Sequence, residues 1–176
     1  PNPNPSPSPN PNQERILSQA KMKAKGNSHF QRGEHQAAVR RYEAANQRAL
    51  TRVHIDRQEP EMIAAEREAK LAEARSIELS CHLNMAASHL KLAEPKKAVD
   101  ACTKALELDA SSVKARFRRA QAHMQLGDLE PARSDLLDAA KAEPQNKDVR
   151  RELDAIKGKL DTQRKKDKAL AAKMFN

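Results

Sequence analysis

Residues 120–139 read AQAHMQLGDLEPARSDLLDA, and two earlier stretches share their spacing: residues 86–105 (AASHLKLAEPKKAVDACTKA) and residues 26–45 (GNSHFQRGEHQAAVRRYEAA). In each copy a small residue is followed by His three residues later, by Ala twelve later, by a larger side chain sixteen later and by Ala nineteen later. The matching residues are Gly26, His29, Ala38, Tyr42 and Ala45; Ala86, His89, Ala98, Cys102 and Ala105; and Ala120, His123, Ala132, Leu136 and Ala139. The chain therefore contains three internal repeats.

The repeats resemble tetratricopeptide repeats (TPRs), because the second and third copies are 34 residues apart (Ala86 to Ala120), which is the TPR period. Each repeat is then a helical hairpin, with Gly33, Pro95 and Gly127 at the turns inside the three repeats. We expect an all-α fold of seven helices: three hairpins in a right-handed superhelix, and a C-terminal capping helix. The composition agrees, since aromatic residues are 2% of the chain and Ala, Leu, Lys, Glu and Arg are abundant.

The repeat spacing also predicts the domain organisation. Residues 1–15 begin PNPNPSPSPNPN and are expected to be a disordered linker, because alternating Pro offers neither backbone donors nor apolar surface. Gly26 and Ala86 are 60 residues apart, 26 more than one repeat, so an insertion should elongate helices over about 48–80, around a turn near Pro60. The predicted segments are three repeats within 16–145 (about 19–58, 61–112 and 113–146) and a C-terminal extension helix, 146–176.

The net charge of +9 and the pI of about 9.7 indicate an acidic partner: nucleic acid, a membrane surface or a carboxylate-rich peptide. Nucleic acid is disfavoured because aromatic stacking residues are few and no common nucleic-acid-binding motif is present. No apolar run is long enough to span a membrane, and the N-terminus has no signal-peptide layout. The two cysteines, Cys81 and Cys102, are expected to be free thiols in a reducing compartment, which points to the cytoplasm, with the nucleus as a second location.

Five residues on the first helices of the repeats form a pattern of their own. The spacing of Lys23 and Asn27, and of Lys114 and Arg118, is four residues, so each pair shares a helix face, and Asn84 lies on the first helix of the second repeat. Asn is a poor helix former, and Lys and Arg supply charged donors, so this set suits an anionic ligand better than a solvated surface.

These five residues, in KAKGN, HLNMAASHLK and KARFR, resemble the carboxylate clamp of co-chaperone TPR domains. The inserted hairpin and the runs LNMAASHLKL, KALELD, RRAQAH and AKMF extend the resemblance to the C-terminal region of large immunophilins, more of the FKBP type than the cyclophilin type. The resemblance implies binding of the Glu-Glu-Val-Asp tail of heat-shock protein 90, or of heat-shock protein 70. By the same resemblance, Lys91 could meet an upstream Glu of the tail, and Phe30 and Ala87 its apolar side chain. It also implies a prolyl isomerase domain upstream, and we expect this chain to be the TPR fragment.

Other functions have weaker support in the sequence. No glycine-rich phosphate loop, nucleophile elbow or metal-ligand spacing is present, so no catalytic residue, metal or cofactor is predicted, and the repeat histidines are interpreted as packing residues. The last helix carries a basic face, which makes calmodulin an alternative partner by analogy with large immunophilins, beside the simpler reading of a solvated face. A TPR scaffold for a helical partner is the remaining alternative.

Overall fold

The computed structural model describes residues 10–49, 51, 54–55 and 61–174. Within these residues, all regular secondary structure is helical apart from turns. The all-α prediction is confirmed. Seven helices have both ends within the described residues: α1 (Pro11–Gln31), α2 (His35–Asn46), α3 (Ala64–Lys91), α4 (Pro95–Leu108), α5 (Val113–Leu126), α6 (Leu129–Ala142) and α7 (Lys147–Met174).

The first helix begins earlier than the sequence suggested. The expected linker extended to residue 15, but Pro11 is already the first residue of α1. Proline is tolerated there because the first helical N–H groups have no partner inside the helix, and its φ suits the helical conformation. Asn10 caps the helix, its side-chain oxygen accepting from the backbone N–H of Asn12 at 2.9 Å and of Gln13 at 3.3 Å. The prediction was therefore wrong for residues 11–15, and residues 1–9 lie outside the described part of the chain.

The predicted elongation is correct for one helix and wrong for the other. Helix α3 has 28 residues, whereas α2 ends at Asn46 after 12. Beyond Asn46 the chain tightens into turns, with the N–H of Arg48 bonded to the carbonyl of Ala45, and the Nε of Arg15 donates to the carbonyl of Ala49 at 3.3 Å. These bonds satisfy the end of α2 without another helical turn. The predicted turn at Pro60 lies outside the described residues.

Each hairpin turn contains one residue in the left-handed region. Gly33 and Gly127 have φ of 76° and 84°, and Ala93 holds the corresponding place with φ of 54°. A Cβ is disfavoured in this conformation, so glycine suits the position and alanine is strained there. The sequence assigned the second turn to Pro95, which is the first residue of α4.

The residue after each left-handed position is acidic and returns to the repeat histidine. Its backbone N–H donates to the histidine carbonyl at 2.9–3.0 Å in all three turns. Its carboxylate also approaches the Nδ1 of that histidine, at 2.5, 2.7 and 3.5 Å in the three repeats. The pairs are His29 with Glu34, His89 with Glu94, and His123 with Asp128. The side chains of His29 and His89 therefore hydrogen-bond to their turns, a polar role that the packing interpretation did not include. His123 Nδ1 makes no such hydrogen bond, and in the third repeat only the backbone bond joins the turn to the histidine.

The described residues divide into two compact units between Ser88 and His89, inside α3. In the first unit, α1, α2 and α3 share one apolar core. Its fully buried members include Ile16, Ala38, Tyr42, Ala45, Ile55, Ala74 and Cys81. The repeat alanines of this unit, Ala38 and Ala45, are fully buried, as expected of positions where two helix backbones approach closely.

In the second unit, α5, α6 and α7 share a second core, and α4 packs against α5. Val149 and Ile156 of α7 are buried against Leu136 and Ala139 of α6, so the first half of α7 covers the apolar face of the last hairpin. Residues 161–173, in the second half, are all exposed. This is the predicted capping helix, with a projecting basic end.

Candidate functional site

The predicted anion-binding residues fall in both units: Lys23, Asn27 and Asn84 in the first, and Lys114 and Arg118 in the second. Each set is described within its own unit.

In the first unit, Asn27 and Asn84 are in direct contact. The Nδ2 of Asn84 donates to the Oδ1 of Asn27 at 3.0 Å, and the hydroxyl of Tyr42 donates to the same oxygen at 3.0 Å. An amide oxygen has two lone pairs, and these two donors use both. Asn27 therefore has its NH₂ group to offer to a ligand, and this residue is half-buried, at the surface of α1.

Lys23 lies one turn before Asn27 on α1 and is half-buried. Its charge acts on the thiol of Cys81, but burial is the larger influence and raises the pKa of Cys81 to about 12. The thiol is therefore neutral at physiological pH and does not cancel the charge of the Lys23 ammonium. The first unit thus offers an ammonium and amide N–H groups, all of which are donors to an anion.

In the second unit, Lys114 is exposed in the first turn of α5, and Arg118 follows one turn later and is half-buried. The helix begins at Ser112, whose hydroxyl accepts from the N–H of Ala115 at 3.4 Å. A cation in the first turn is unfavourable, because the helix dipole is positive at that end. Lys114 therefore costs α5 some stability, and together with the helix N-terminus it creates a positive potential that favours an anionic ligand.

The neighbouring arginine, Arg119, has a structural role. Its guanidinium forms a bidentate ion pair with the buried Asp135, at 2.6 and 2.7 Å, and its Nη1 lies 3.5 Å from Thr103 Oγ1. These bonds join α5 to α6 and to α4. Burial raises the pKa of the Cys102 thiol to about 12, and the charges of Arg118 and Arg119 act in the opposite direction.

The three weaker site predictions are placed as follows. Phe30 is partly buried against the core of the first unit, and its ring meets the edge of His35 at 5.0 Å and 61°. Ala87 is half-buried on α3. Lys91 is the exposed last residue of α3, where a cation also suits the helix dipole, so its position has a reason apart from any ligand.

Two residues of the site region were not singled out from the sequence. The repeat pattern predicted only a packing role for Tyr42, yet its hydroxyl contacts Asn27. Arg119 was one of 33 basic residues, and nothing in the sequence separated its role from that of Arg118. For Tyr42 the available signal was that a phenol, unlike phenylalanine, needs a hydrogen-bond partner when buried.

The described part of the chain has neither a metal-ligand cluster nor a membrane-spanning helix. No three His, Cys, Asp or Glu side chains there are grouped to hold a metal ion. Likewise, none of the described helices combines the length and apolar character needed to cross a bilayer.

Comparison with known proteins places the fold. Residues 113–146 match the tetratricopeptide repeat family model. The C-terminal TPR-containing domain of a Plasmodium falciparum FK506-binding protein is 30% identical, with a TM-score of 0.72, over 88% of this chain and 95% of that one. Human peptidyl-prolyl cis-trans isomerase FKBP4 is 31% identical over 163 residues, which are 93% of this chain and 33% of the relative.

Two TPR domains of RPAP3 have the same fold with peptides bound. The first, from Spaghetti (RPAP3), is bound to the HSP90 peptide SRMEEVD; it is 24% identical, with a TM-score of 0.62, over 82% of this chain and 94% of that one. The second, from human RPAP3, is in complex with the HSP70 peptide SGPTIEEVD; it is 26% identical, with a TM-score of 0.59, over 83% and 98%.

The helical hairpins and the family match define a TPR domain, a class of helical repeat. Within that class, the chain belongs to the C-terminal TPR domains of FKBP-type immunophilin co-chaperones. The chain spans about a third of the length of the curated relatives it matches.

Proposed function

We propose that this TPR domain binds the C-terminal Glu-Glu-Val-Asp peptide of heat-shock protein 90 through a carboxylate clamp. The observation that carries the proposal is the double hydrogen bond to Asn27 Oδ1, which leaves the NH₂ of Asn27 as the group available to a ligand. A C-terminal Asp offers two carboxylates on one residue, and carboxylates accept hydrogen bonds without donating any. A site built from donors suits such a ligand.

The five residues divide the work by chemistry. Lys23, Asn27 and Asn84 supply an ammonium and two amides, and Lys114 and Arg118 supply an ammonium and a guanidinium. Charge-assisted bonds are about twice as strong as neutral ones, so we expect the cations to provide most of the affinity and the amides the geometry. A dissociation constant on the order of micromolar follows from a short, partly solvated contact, and added salt should weaken it.

Calorimetry with a Met-Glu-Glu-Val-Asp peptide tests the clamp with matched controls. We expect Lys23→Ala to weaken binding by about tenfold or more, the usual size for a charge-assisted bond. Lys25→Ala, on the same helix and exposed, should bind like the wild type. In the second unit the pair is Lys114→Ala against Lys104→Ala, where Lys104 is an exposed lysine of α4. If the site and control variants lost the same amount of affinity, the peptide would be held by the general positive charge of the domain and not by a clamp.

The preference between chaperones is a separate proposal. The RPAP3 domains took an HSP90 peptide in one case and an HSP70 peptide in the other, and both peptides end in Glu-Glu-Val-Asp. We propose heat-shock protein 90 as the main partner, with Phe30, Ala87 and Lys91 contacting residues upstream of the shared ending. Titration with SRMEEVD and SGPTIEEVD on the same protein sample decides: a stronger HSP70 peptide would overturn the preference and leave the clamp intact.

The isomerase activity in the curated relatives' names is proposed to belong to another part of the parent protein. Nothing in the described helices matches a catalytic arrangement, and a proline-peptide assay on this chain should give the uncatalysed rate. Cytoplasmic location, with the nucleus as a second compartment, is likewise a proposal and follows from the proposed partner.

A second candidate function rests on the projecting end of α7. Residues 161–173 are all exposed, five of them are basic and Leu170 is 61% exposed, so this segment could bind calmodulin or another acidic protein. None of the proteins compared above is described by name as a calmodulin binder. Truncation after Leu160 separates the two functions: it should abolish calmodulin binding but leave the peptide affinity unchanged.

A further inference from the structure

The hydroxyl of Tyr42 lies inside the first unit and contacts Asn27, a residue of the proposed clamp, from the buried side. Tyr42 is 1% exposed, and its hydroxyl donates to Asn27 Oδ1 at 3.0 Å. The ring is held against Gly26, where an added Cβ would lie 2.5 Å from the Cε1 of Tyr42. Because Gly26 has no side chain, the ring of Tyr42 can pack directly against the α1 backbone. The hydroxyl of Tyr42 then bonds to Asn27, the next residue of α1.

This arrangement controls which end of the Asn27 amide faces outward. The two ends of an amide have almost the same shape, so packing alone does not distinguish them. A tyrosine hydroxyl has one hydrogen, and it is directed at Asn27 Oδ1 together with an N–H of Asn84. Reversing the amide would place the NH₂ of Asn27 against the N–H of Asn84, and the Tyr42 hydroxyl would have to accept instead of donate. It would also turn the oxygen of Asn27 outward, toward a ligand carboxylate, and neither group can donate.

We propose that Tyr42 is a positioning residue for carboxylate binding: its hydroxyl, with Asn84, holds Asn27 so that its NH₂ faces the ligand. This inference rests on the proposed peptide-binding function and adds a requirement to it. Tyr42 does not contact the ligand, and its effect is transmitted through Asn27. Each net hydrogen bond changes an equilibrium by about fivefold, so loss of the hydroxyl should change the orientation ratio of the Asn27 amide by about that factor.

The variant Tyr42→Phe removes the hydroxyl and keeps the ring that packs against Gly26. We expect the peptide with a free C-terminus to bind about three- to tenfold more weakly. In an Asn27→Ala background, Tyr42→Phe should have no further effect. A role in packing alone predicts the same loss in both backgrounds, and that result, or wild-type affinity in the single variant, would overturn the proposal.

A second measurement needs no peptide and no change of residue 42. Tyr42 is the only tyrosine in the chain, so growth on 3-fluorotyrosine places a single fluorine reporter beside this hydroxyl. The fluorine resonance should shift in Asn27→Ala and remain in place in the control Lys25→Ala. An unchanged resonance in Asn27→Ala would overturn the hydrogen bond itself. Failure of the wild type to bind the peptide would instead reject the proposed function, while the fluorine experiment still reports on the positioning of Asn27.

Discussion

Replacement of Ala93 by glycine should stabilise this protein. Ala93 is exposed in the turn between α3 and α4, with φ of 54°, where the other two hairpins have Gly33 and Gly127. A residue with a Cβ pays about 1–2 kcal/mol in this conformation. Glycine avoids that cost but gives the unfolded chain more freedom, which offsets about 0.4–1 kcal/mol. The expected net gain is therefore about 0.5–1 kcal/mol in the free energy of unfolding.

The assay is urea unfolding followed by far-ultraviolet circular dichroism, with Gly33→Ala and Gly127→Ala as matched reverse changes. A Cβ at either glycine meets no atom within 4 Å, so only the backbone cost applies, and each variant should lose about the amount that Ala93→Gly gains. In melting temperature this is about 1–4 °C in either direction. If Ala93→Gly were destabilising while the two reverse changes were neutral, the turns would not be strained as described.

Three further predictions concern side-chain contacts inside the first or the second unit. Gly26→Ala should destabilise the first unit by about 1–3 kcal/mol in urea unfolding, because the new Cβ would overlap the ring of Tyr42; an unchanged midpoint would show that the ring can move aside. Arg119→Ala should lower stability by about 3 kcal/mol, because it leaves the buried carboxylate of Asp135 without its partner; Arg119→Met with Asp135→Leu should recover most of the loss, and a double variant as unstable as the single one would contradict this explanation. The hydrogen bond from Arg32, followed by that from His29, lowers the pKa of Glu34 to about 2 from about 4.5, so its contribution to stability is present at neutral pH and lost as the pH falls from 4.5 to 2; Glu34→Gln should have a flatter stability profile across this interval, and identical profiles would refute the coupling.

The helical hairpins could be predicted from the sequence because their packing is local and periodic. The alanines at the repeat positions, such as Ala38, Ala98 and Ala132, are all fully buried. The helix ends were less predictable. Proline was taken to exclude helix up to residue 15, although Pro11 is tolerated as a first residue, and the lack of glycine after Asn46 did not prevent α2 from ending there. The residues at which helices begin and end depend on caps and turns, which repeat spacing and the positions of Pro and Gly do not predict.

The types of residue in the candidate site could also be predicted, but their orientation could not. The spacing of Lys23 and Asn27 on one helix face needs only the helical repeat. The direction of the Asn27 amide depends on Tyr42, 15 residues away, and on Asn84, 57 residues away. The ion pair of Arg119 likewise depends on Asp135, on another helix. Contacts between residues that are far apart in the sequence are set by the tertiary structure, so the sequence alone does not predict them.

The most direct test of the carboxylate clamp compares two forms of one peptide. Met-Glu-Glu-Val-Asp with a free C-terminus and the same peptide with a C-terminal amide differ by one carboxylate, and calorimetry measures both against the wild-type chain. The clamp predicts that the amide binds at least about tenfold more weakly, because donors arranged for two carboxylates meet only one. Equal affinity for the two peptides would contradict the clamp.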